Sequence, residues 1–230
     1  NRTGGALVDM GLYRRDNNSQ VMTRTAEQTS VDVQATSTIY KFTCGGVDLT
    51  LRFTAPLLLE DLDLVSRPVN YITYEVASND GAEHDVQIYF EAAPDWARNS
   101  SEQKCVSERG DDDNFNYVKS GTVDQKILGR KGDDVRIDWG YFYMAADKAS
   151  SRSSVGNAVA MLREFADRGT VEGRSEGDRM AITAPLGTVS GKGKSGYVMV
   201  GYDDIYSIQY FGENIRPYWN RNGNSSIAKQ

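Results

Sequence analysis

Alternating apolar and polar residues dominate the first half of this chain, and a period of two is typical of β-strands whose faces differ. Two such runs flank Gly45-Gly46. Their apolar positions are Tyr40, Phe42 and Cys44 in the first run, and Val47, Leu49, Leu51 and Phe53 in the second. Two glycines tolerate the positive φ values that tight reversals need. The pattern therefore predicts a β-hairpin.

A second alternating pair follows the acidic segment 57–64, which favours a connecting loop or a short turn of helix that ends before Pro68. The apolar positions of this pair are Ile72, Tyr74 and Val76, then Val86, Ile88 and Phe90. Asn79-Asp80-Gly81 lies between the two runs and suits a tight turn. We expect a second hairpin here. Two hairpins with one apolar face each need a covering layer, which indicates a sandwich.

The second half of the chain gives fewer signals. Segment 134–145 predicts a strand with two apolar faces, which is typical of a central position. Helical spacing of apolar residues predicts one helix over 153–168, capped by Ser153 or Ser154 and ended by Gly169. Further short elements are expected as strands at 117–118, 126–128, 179–183 and 197–202, and as a terminal helix at 215–219.

These patterns predict a mainly β protein, an antiparallel β-sandwich with one or two short helices. We divide the chain into an N-terminal arm and edge segment (1–36), a β-sandwich module (37–219) and a polar, flexible tail (220–230).

Composition narrows the function classes. The net charge of −6 and pI of about 4.9 argue against nucleic acid as a partner, since its binding requires clustered Lys and Arg. No apolar run approaches the roughly 20 residues that cross a bilayer, so no membrane span is expected. The chain opens on Asn1 and lacks a Met-led signal peptide, which suggests a mature or recombinant fragment.

Two cysteines permit at most one disulfide. Cys44 shares the apolar face of its predicted strand with Tyr40 and Phe42, so a buried free thiol is favoured. A bridge to Cys105 stays open, because sequence alone does not give its geometry.

Candidate catalytic groups are few. His84 is the only histidine, which excludes multi-histidine zinc sites and leaves one residue for any nucleophile–histidine pair. Carboxylates are plentiful in three groups: Glu60, Asp61 and Asp63; Asp133, Asp134 and Asp138; Asp203 and Asp204. Paired carboxylates can do acid–base work on glycosidic bonds, yet solvated loops explain these groups better. We therefore assign no catalytic, cofactor-binding or metal-binding residue, and expect no cofactor.

Two tryptophans near loops, Trp96 and Trp219, are candidates for packing against another domain or for stacking on a ligand. Aromatic residues are enriched at protein interfaces. Burial in the core remains the alternative for both.

Four segments carry a resemblance to a known family: 38–58, 56–97, 132–145 (GDDVRIDWGYFYMA) and 201–219 (GYDDIYSIQYFGENIRPYW). In order and motif they resemble the N-terminal region of the glutaminase A-like proteins, secreted or periplasmic hydrolases. The resemblance implies an all-β module that precedes a large helical domain similar to the α/α-toroid of six-hairpin glycosidases. It marks Asp133, Asp134, Asp203 and Asp204 as motif positions of the module, and no catalytic residue is carried over.

Three functional expectations follow: the resemblance implies the first, the tryptophans near loops suggest the second, and the carboxylate groups suggest the third. The first is a non-catalytic N-terminal β-sandwich domain of a glutaminase that converts L-glutamine to L-glutamate and ammonia. This domain would be inactive alone and would pack against the C-terminal helical catalytic domain of the same protein. The second is a carbohydrate-binding module of a glycosidase-like enzyme, with a glycan or other small-molecule ligand at Trp96 or Trp219. The third is an enzyme that acts through its own carboxylates.

Overall fold

The computed structural model describes residues 11–15, 21–130, 132, 137–173 and 177–223, with backbone alone for 11–15 and 21–24. Its strands are β1 (Gly11–Arg15), β2 (Val21–Thr25), β3 (Glu27–Val33), β4 (Ser37–Cys44), β5 (Val47–Thr54), β6 (Val69–Ser78), β7 (His84–Ala92), β8 (Cys105–Asp111), β9 (Phe115–Thr122), β10 (Tyr141–Asp147), β11 (Arg152–Gly156), β12 (Arg179–Val189), β13 (Lys194–Asp203), β14 (Ile208–Tyr210) and β15 (Glu213–Ile215). Its helices are α1 (Leu62–Ser66) and α2 (Ala158–Arg168), with 3-10 turns at Pro94–Ala97 and Tyr218–Asn220.

Two antiparallel sheets form the body of the protein. One has eight strands in the order β3-β4-β5-β6-β13-β10-β9-β8, and the other has three in the order β11-β12-β7. Their facing side chains form a shared core that includes Phe42, Tyr74, Met144, Met180 and Ile182. The mainly β, antiparallel sandwich predicted from the alternating pattern is confirmed.

The connections alternate between the two ends of the sandwich, because every strand pair is antiparallel. One end, the short-turn end, carries the tight connections at 45–46, 79–83, 112–114 and 190–193. The other, the long-loop end, carries 34–36, 55–68, 93–104, 123–140, 157–178 and the chain after β13. Longer loops have more room for side chains that serve binding, so candidate binding residues are expected at the long-loop end.

The first hairpin is confirmed. β4 and β5 form an antiparallel pair whose last partners before the turn are Cys44 and Val47, and Gly45 in the turn has φ +62°. The expected short helix after it is α1, whose first turn is capped by Asp61 through a 2.9 Å bond from the Leu64 amide. Arg67 is extended before Pro68, as steric exclusion by the proline ring requires.

The second predicted hairpin is wrong in its pairing. Both strands exist, but β6 lies in the eight-stranded sheet and β7 in the three-stranded sheet, so the chain crosses between layers at 79–83. The Asn79 amide bonds to the Gly46 carbonyl at 3.0 Å, and its side chain bonds to Asp48 at 2.7 Å. These contacts fix the turn to the neighbouring hairpin. The apolar faces of β6 and β7 then face the shared core from opposite sheets.

Strand and helix boundaries also differ from the predictions. The strand expected over 134–145 is β10 from Tyr141, with residues 133–136 outside the described part and Trp139 buried in the preceding bend. The stretch 126–128 is a turn instead of a strand, because Gln125 and Leu128 take positive φ. The terminal helix is a single 3-10 turn, which begins after Pro217.

The helix predicted over 153–168 begins later, at Ala158. Residues Arg152–Gly156 form β11, and Asn157 replaces Ser153 or Ser154 as the cap, accepting a bond from the Ala160 amide at 3.2 Å. Gly169 ends the helix at φ +70°, as expected. The buried face of α2 packs through Met161 and Phe165 on the outer side of the small sheet.

The two cysteines are free thiols. Cys44 ends β4 at the short-turn end, while Cys105 begins β8 at the long-loop end, six places away in the same sheet. At a strand spacing of about 4.8 Å, that separation is far above the Cα distance of about 6 Å that a disulfide spans. The bridge left open by the sequence is therefore ruled out by this topology.

The ends of the chain add two facts. Strand β3 forms an outer edge of the eight-stranded sheet and pairs only with β4 among the described strands. Residues 224–230 of the expected polar tail lie outside the described residues.

In the described parts of the chain, no helix has the length and apolar character that a membrane span needs.

Candidate functional site

The described parts of two motif stretches, 137–145 and 201–219, meet at the long-loop end. Tyr141 at the start of β10 pairs with Asp203 at the end of β13, which places residues 139–140 beside the segment after Asp203. The Trp139 indole donates to the Tyr206 carbonyl at 3.1 Å, and the Tyr202 hydroxyl donates to the Trp139 carbonyl at 2.5 Å. Burial raises the pKa of Tyr202, so its hydroxyl stays protonated as a donor. We call this arrangement the motif junction.

Gly140 lies at the centre of the motif junction. Its φ is +79°, and a Cβ on it would lie 2.0 Å from the Asp203 carbonyl oxygen. The Gln125 side chain closes the other side: it accepts from the Gly140 amide at 2.7 Å and donates to the Gly140 carbonyl at 3.0 Å. Only glycine combines this φ with so close an approach of two backbones.

Asp138 holds the loops around the motif junction together. The side chain is 2% exposed, and its Oδ2 accepts from Arg130 at 2.7 Å and from Gln103 at 2.8 Å. Its own carbonyl accepts from the Thr122 hydroxyl at 2.6 Å. No described residue donates to the buried Oδ1. A carboxylate enclosed in this way has no access to a substrate, so its role is to join loops 93–104 and 123–140.

Asp203 and Asp204 shape the chain after β13. Burial raises the pKa of Asp203, which accepts from the Ile205 amide at 2.9 Å and thereby supports the positive φ of Ile205, +61°. Asp204 accepts from the Ser207 hydroxyl at 2.6 Å. Both carboxylates form local turns.

Asp61, Asp63, Asp111 and Asp112 also have local partners, whereas Glu60 is exposed in the segment before α1. Asp61 caps α1, and the Arg221 guanidinium that bonds to Asp63 lowers the pKa of that carboxyl. Asp111 pairs with Lys148 at 2.5 Å, and Asp112 accepts from the amides of the β8–β9 turn. Asp133 and Asp134 lie outside the described residues. Across the described residues, no cluster of three or more His, Cys, Asp or Glu side chains is arranged to hold a metal ion.

His84 lies at the short-turn end, bonded to Asp80 at 2.9 Å. That hydrogen bond, together with one from the Ala82 amide, lowers the pKa of Asp80 to about 2. The ten residues of β6 separate this end from the motif junction, a span of about 30 Å. The only imidazole therefore cannot act together with Asp138 or Asp203.

Both candidate tryptophans lie at the long-loop end. Trp96 is 62% exposed and stacks with one face on Phe142, with ring centroids 5.8 Å apart and an interplanar angle of 20°. Trp219 is partly buried in the 3-10 turn, and no described residue accepts from its buried Nε1. Their roles in interface packing or ligand stacking stay predictions.

The sequence reasoning missed a set of exposed apolar residues at this same end. Four leucines in 57–62 are each more than half exposed, and the β14–β15 hairpin presents Ile208, Tyr210, Phe211 and Ile215. Phe211 is 92% exposed at φ +47°. The sequence does contain a signal for this exposure. Phe211 precedes Gly212 in a two-residue turn, where Asn is the preferred residue.

Comparisons with known proteins agree with the resemblance in outline. Residues 36–230 match the family described as "Domain of unknown function (DUF5127)". The chain is 25% identical over 189 residues to "Glutaminase A" of Aspergillus oryzae (strain ATCC 42149 / RIB 40), an alignment that covers 81% of this chain and 27% of that protein. The chain thus spans little more than a quarter of the length of this relative, to which it is distantly similar. Because the family match covers most of its residues, this protein belongs to the DUF5127 family.

Proposed function

We propose that this chain is the non-catalytic N-terminal β-sandwich domain of a secreted or periplasmic glutaminase A-like hydrolase. One observation carries the proposal: similarity to glutaminase A covers 81% of this chain but 27% of that protein. A relative so much longer has room for a further domain that holds the chemistry. In the parent protein the reaction is hydrolysis of L-glutamine to L-glutamate and ammonia, and the helical domain expected from the resemblance performs it.

The distribution of charged groups supports a non-catalytic role. Asp138 is enclosed, Asp203 and Asp204 accept local hydrogen bonds, and His84 lies at the other end of the sandwich. A general acid and base must reach the same reacting atoms. The described residues offer no such pair in an open cleft.

The test compares the 230-residue chain with the product of the complete reading frame. Ammonia release from L-glutamine is measured for both under identical conditions. We expect turnover from the longer protein alone. Turnover by the 230-residue chain would overturn the non-catalytic assignment, and a reading frame that stops at Gln230 would remove the second domain from the proposal.

A carbohydrate-binding module is the second candidate, and the exposure of Trp96 favours it. Phe142 backs one indole face, which leaves the opposite face open for stacking. Titration calorimetry with soluble oligosaccharides tests this function. Binding that is present in the wild-type chain and lost in Trp96→Ala, but kept in Tyr197→Ala on the outer sheet face, would support it. Absence of heat in the wild type would reject it.

A further inference from the structure

The long-loop end carries apolar side chains that are exposed to solvent in the described domain. We define the exit face as residues 57–62, Trp96 and residues 208–218. Within it Leu59 is 72% exposed, Trp96 is 62% exposed and Phe211 is 92% exposed. Exposed apolar residues are common singly, but a concentration at one end of a domain marks an interaction surface.

Two parts of the exit face, the leucine segment and the C-terminal 3-10 turn, are held together. Helix α1 follows the leucine segment and packs against the 3-10 turn Tyr218–Asn220. Asp63 on this helix forms an ion pair with Arg221, and Arg216 lies over the Tyr206 ring at 4.9 Å. The Asp63–Arg221 pair neutralises two charges at the border of the face, while Glu60 and Glu213 within the face are exposed and would remain at its solvated rim.

Phe211 has a conformation that the domain itself does not explain. It occupies the β14–β15 turn with Gly212, and both residues have positive φ, +47° and +84°. Asn-Gly is the preferred sequence for such a turn, and a bulky residue at this φ is strained. The ring touches Tyr210, 4.5 Å between centroids, and otherwise projects into solvent. Strain without burial indicates that the side chain serves a contact outside the domain.

The position of the chain ends identifies the partner. The chain leaves the described structure at Gly223, directly beside the exit face, where Arg221 is paired with Asp63. At the other end of the described chain, β1 pairs with β2 and contacts α2, which packs on the small sheet. Sequence that continues beyond residue 230 therefore reaches the exit face first. The glutaminase A relative has several times the matched length, which is enough for such a continuation.

We propose that the exit face is the docking surface for the domain that follows residue 230 in the longer protein, with Phe211 inserted into an apolar pocket of that domain. The inference rests on the proposed function, since it requires the second domain. Buried aromatic anchors dominate interface energetics, so Phe211 is the centre of the contact and the leucines of 57–62 are its surroundings.

Hydroxyl-radical footprinting with mass spectrometry tests the proposal on the 230-residue chain and on the complete protein. Oxidation of Phe211 should fall about tenfold in the complete protein, as its exposed fraction drops from 92% to that of an interface core. Oxidation of Tyr197, which lies on the outer sheet face, should be equal in both.

A variant separates docking from folding. Phe211→Asn suits the turn, so the isolated domain should keep its melting temperature or gain slightly. In the complete protein, the same change should return Trp96 and Leu59 to the oxidation rates of the isolated domain. Val159→Asp, an apolar-to-acidic change at the first turn of α2, is the matched control and should leave both rates low.

Each outcome has a distinct meaning. Equal oxidation of Phe211 in both proteins would overturn the docking surface while the proposed function stands. Glutamine turnover by the 230-residue chain, or a reading frame that ends at Gln230, would overturn the proposed function and the docking surface with it. Protection of Phe211 in the isolated chain that grows with protein concentration would assign the face to a second copy and refute the proposal.

Discussion

Replacement of Gly140 by alanine should destabilise the domain far more than the same change at Gly81. The two glycines have nearly identical φ, +79° and +80°, so both variants carry the same backbone strain. They differ in surroundings: a Cβ at Gly140 would lie 2.0 Å from the Asp203 carbonyl oxygen, whereas nothing lies within 4 Å of a Cβ at Gly81. The comparison isolates the cost of the close approach at the motif junction.

The magnitude follows from two contributions. A left-handed conformation costs an L-residue about 1–2 kcal/mol. Alanine also lowers the conformational entropy of the unfolded chain relative to glycine, which raises the free energy of unfolding by roughly 0.4–1 kcal/mol. Gly81→Ala should therefore lose about 0.5–1 kcal/mol. At Gly140 the backbones must also separate, which lowers the free energy of unfolding by about 1–3 kcal/mol more, as in other overpacked sites, for a total of about 1.5–4 kcal/mol.

Urea denaturation followed by tryptophan fluorescence measures both values, because Trp139 is buried beside Gly140. The melting temperature should fall by about 10 °C for Gly140→Ala and by about 2 °C for Gly81→Ala. Losses that agree within about 0.5 kcal/mol would show that the approach of Asp203 to Gly140 is not a constraint, and would refute the description of the motif junction.

Three further predictions concern charged and thiol groups. Asp138→Ala should lower the free energy of unfolding, measured by urea denaturation, by about 2–4 kcal/mol, because two hydrogen bonds to a buried carboxylate are lost. A decrease under about 1 kcal/mol would show that Asp138 does not hold loops 93–104 and 123–140 together. Asp80 has its pKa lowered to about 2, so its stabilising contact is complete above the usual pKa of 3.8 and is lost as the pH falls towards 2; carboxyl NMR should give that pKa, and His84→Ala should raise it. Cys44 and Cys105 should both be alkylated in the unfolded chain without a reductant, and an intact mass 2 Da short would reveal a bridge.

Local patterning predicted the elements well where short-range chemistry decides. The β4–β5 hairpin follows from alternation and Gly45, and Gly169 ends α2 as its positive φ allows. Pro68 sets the end of α1 in the same way. In each case the physical cause lies within a few residues of the effect, so a single sequence contains it.

Pairing between strands was harder to predict. The alternating pattern correctly predicts that β6 and β7 are strands, yet it does not indicate that the two strands belong to different sheets. That choice depends on Asn79, which bonds to residues of a hairpin more than thirty positions earlier. The shift of the α2 start has a similar origin, because β11 gains pairing with β12 that helical spacing does not reveal.

The candidate site was predicted in part. The sequence placed Trp96 and the two motif stretches, but their meeting at one end follows from the β10–β13 pairing, which joins distant segments. It missed the exposure of Phe211, because aromatic residues are more often buried than exposed, and the only local signal was a bulky residue before Gly212 where Asn is preferred. Exposure depends on what covers a residue, and that is a property of the folded chain.

The place of β13 also has a consequence for biosynthesis. This late strand lies in the middle of the eight-stranded sheet, between β6 and β10, which were made long before it. A nascent chain on the ribosome therefore holds two half-sheets with open inner edges until residues 194–203 emerge. Such non-local closure is slow and leaves aggregation-prone edges unguarded meanwhile. Chaperone demand should thus peak just before β13 leaves the exit tunnel, and premature stop codons upstream of Lys194 should yield insoluble protein.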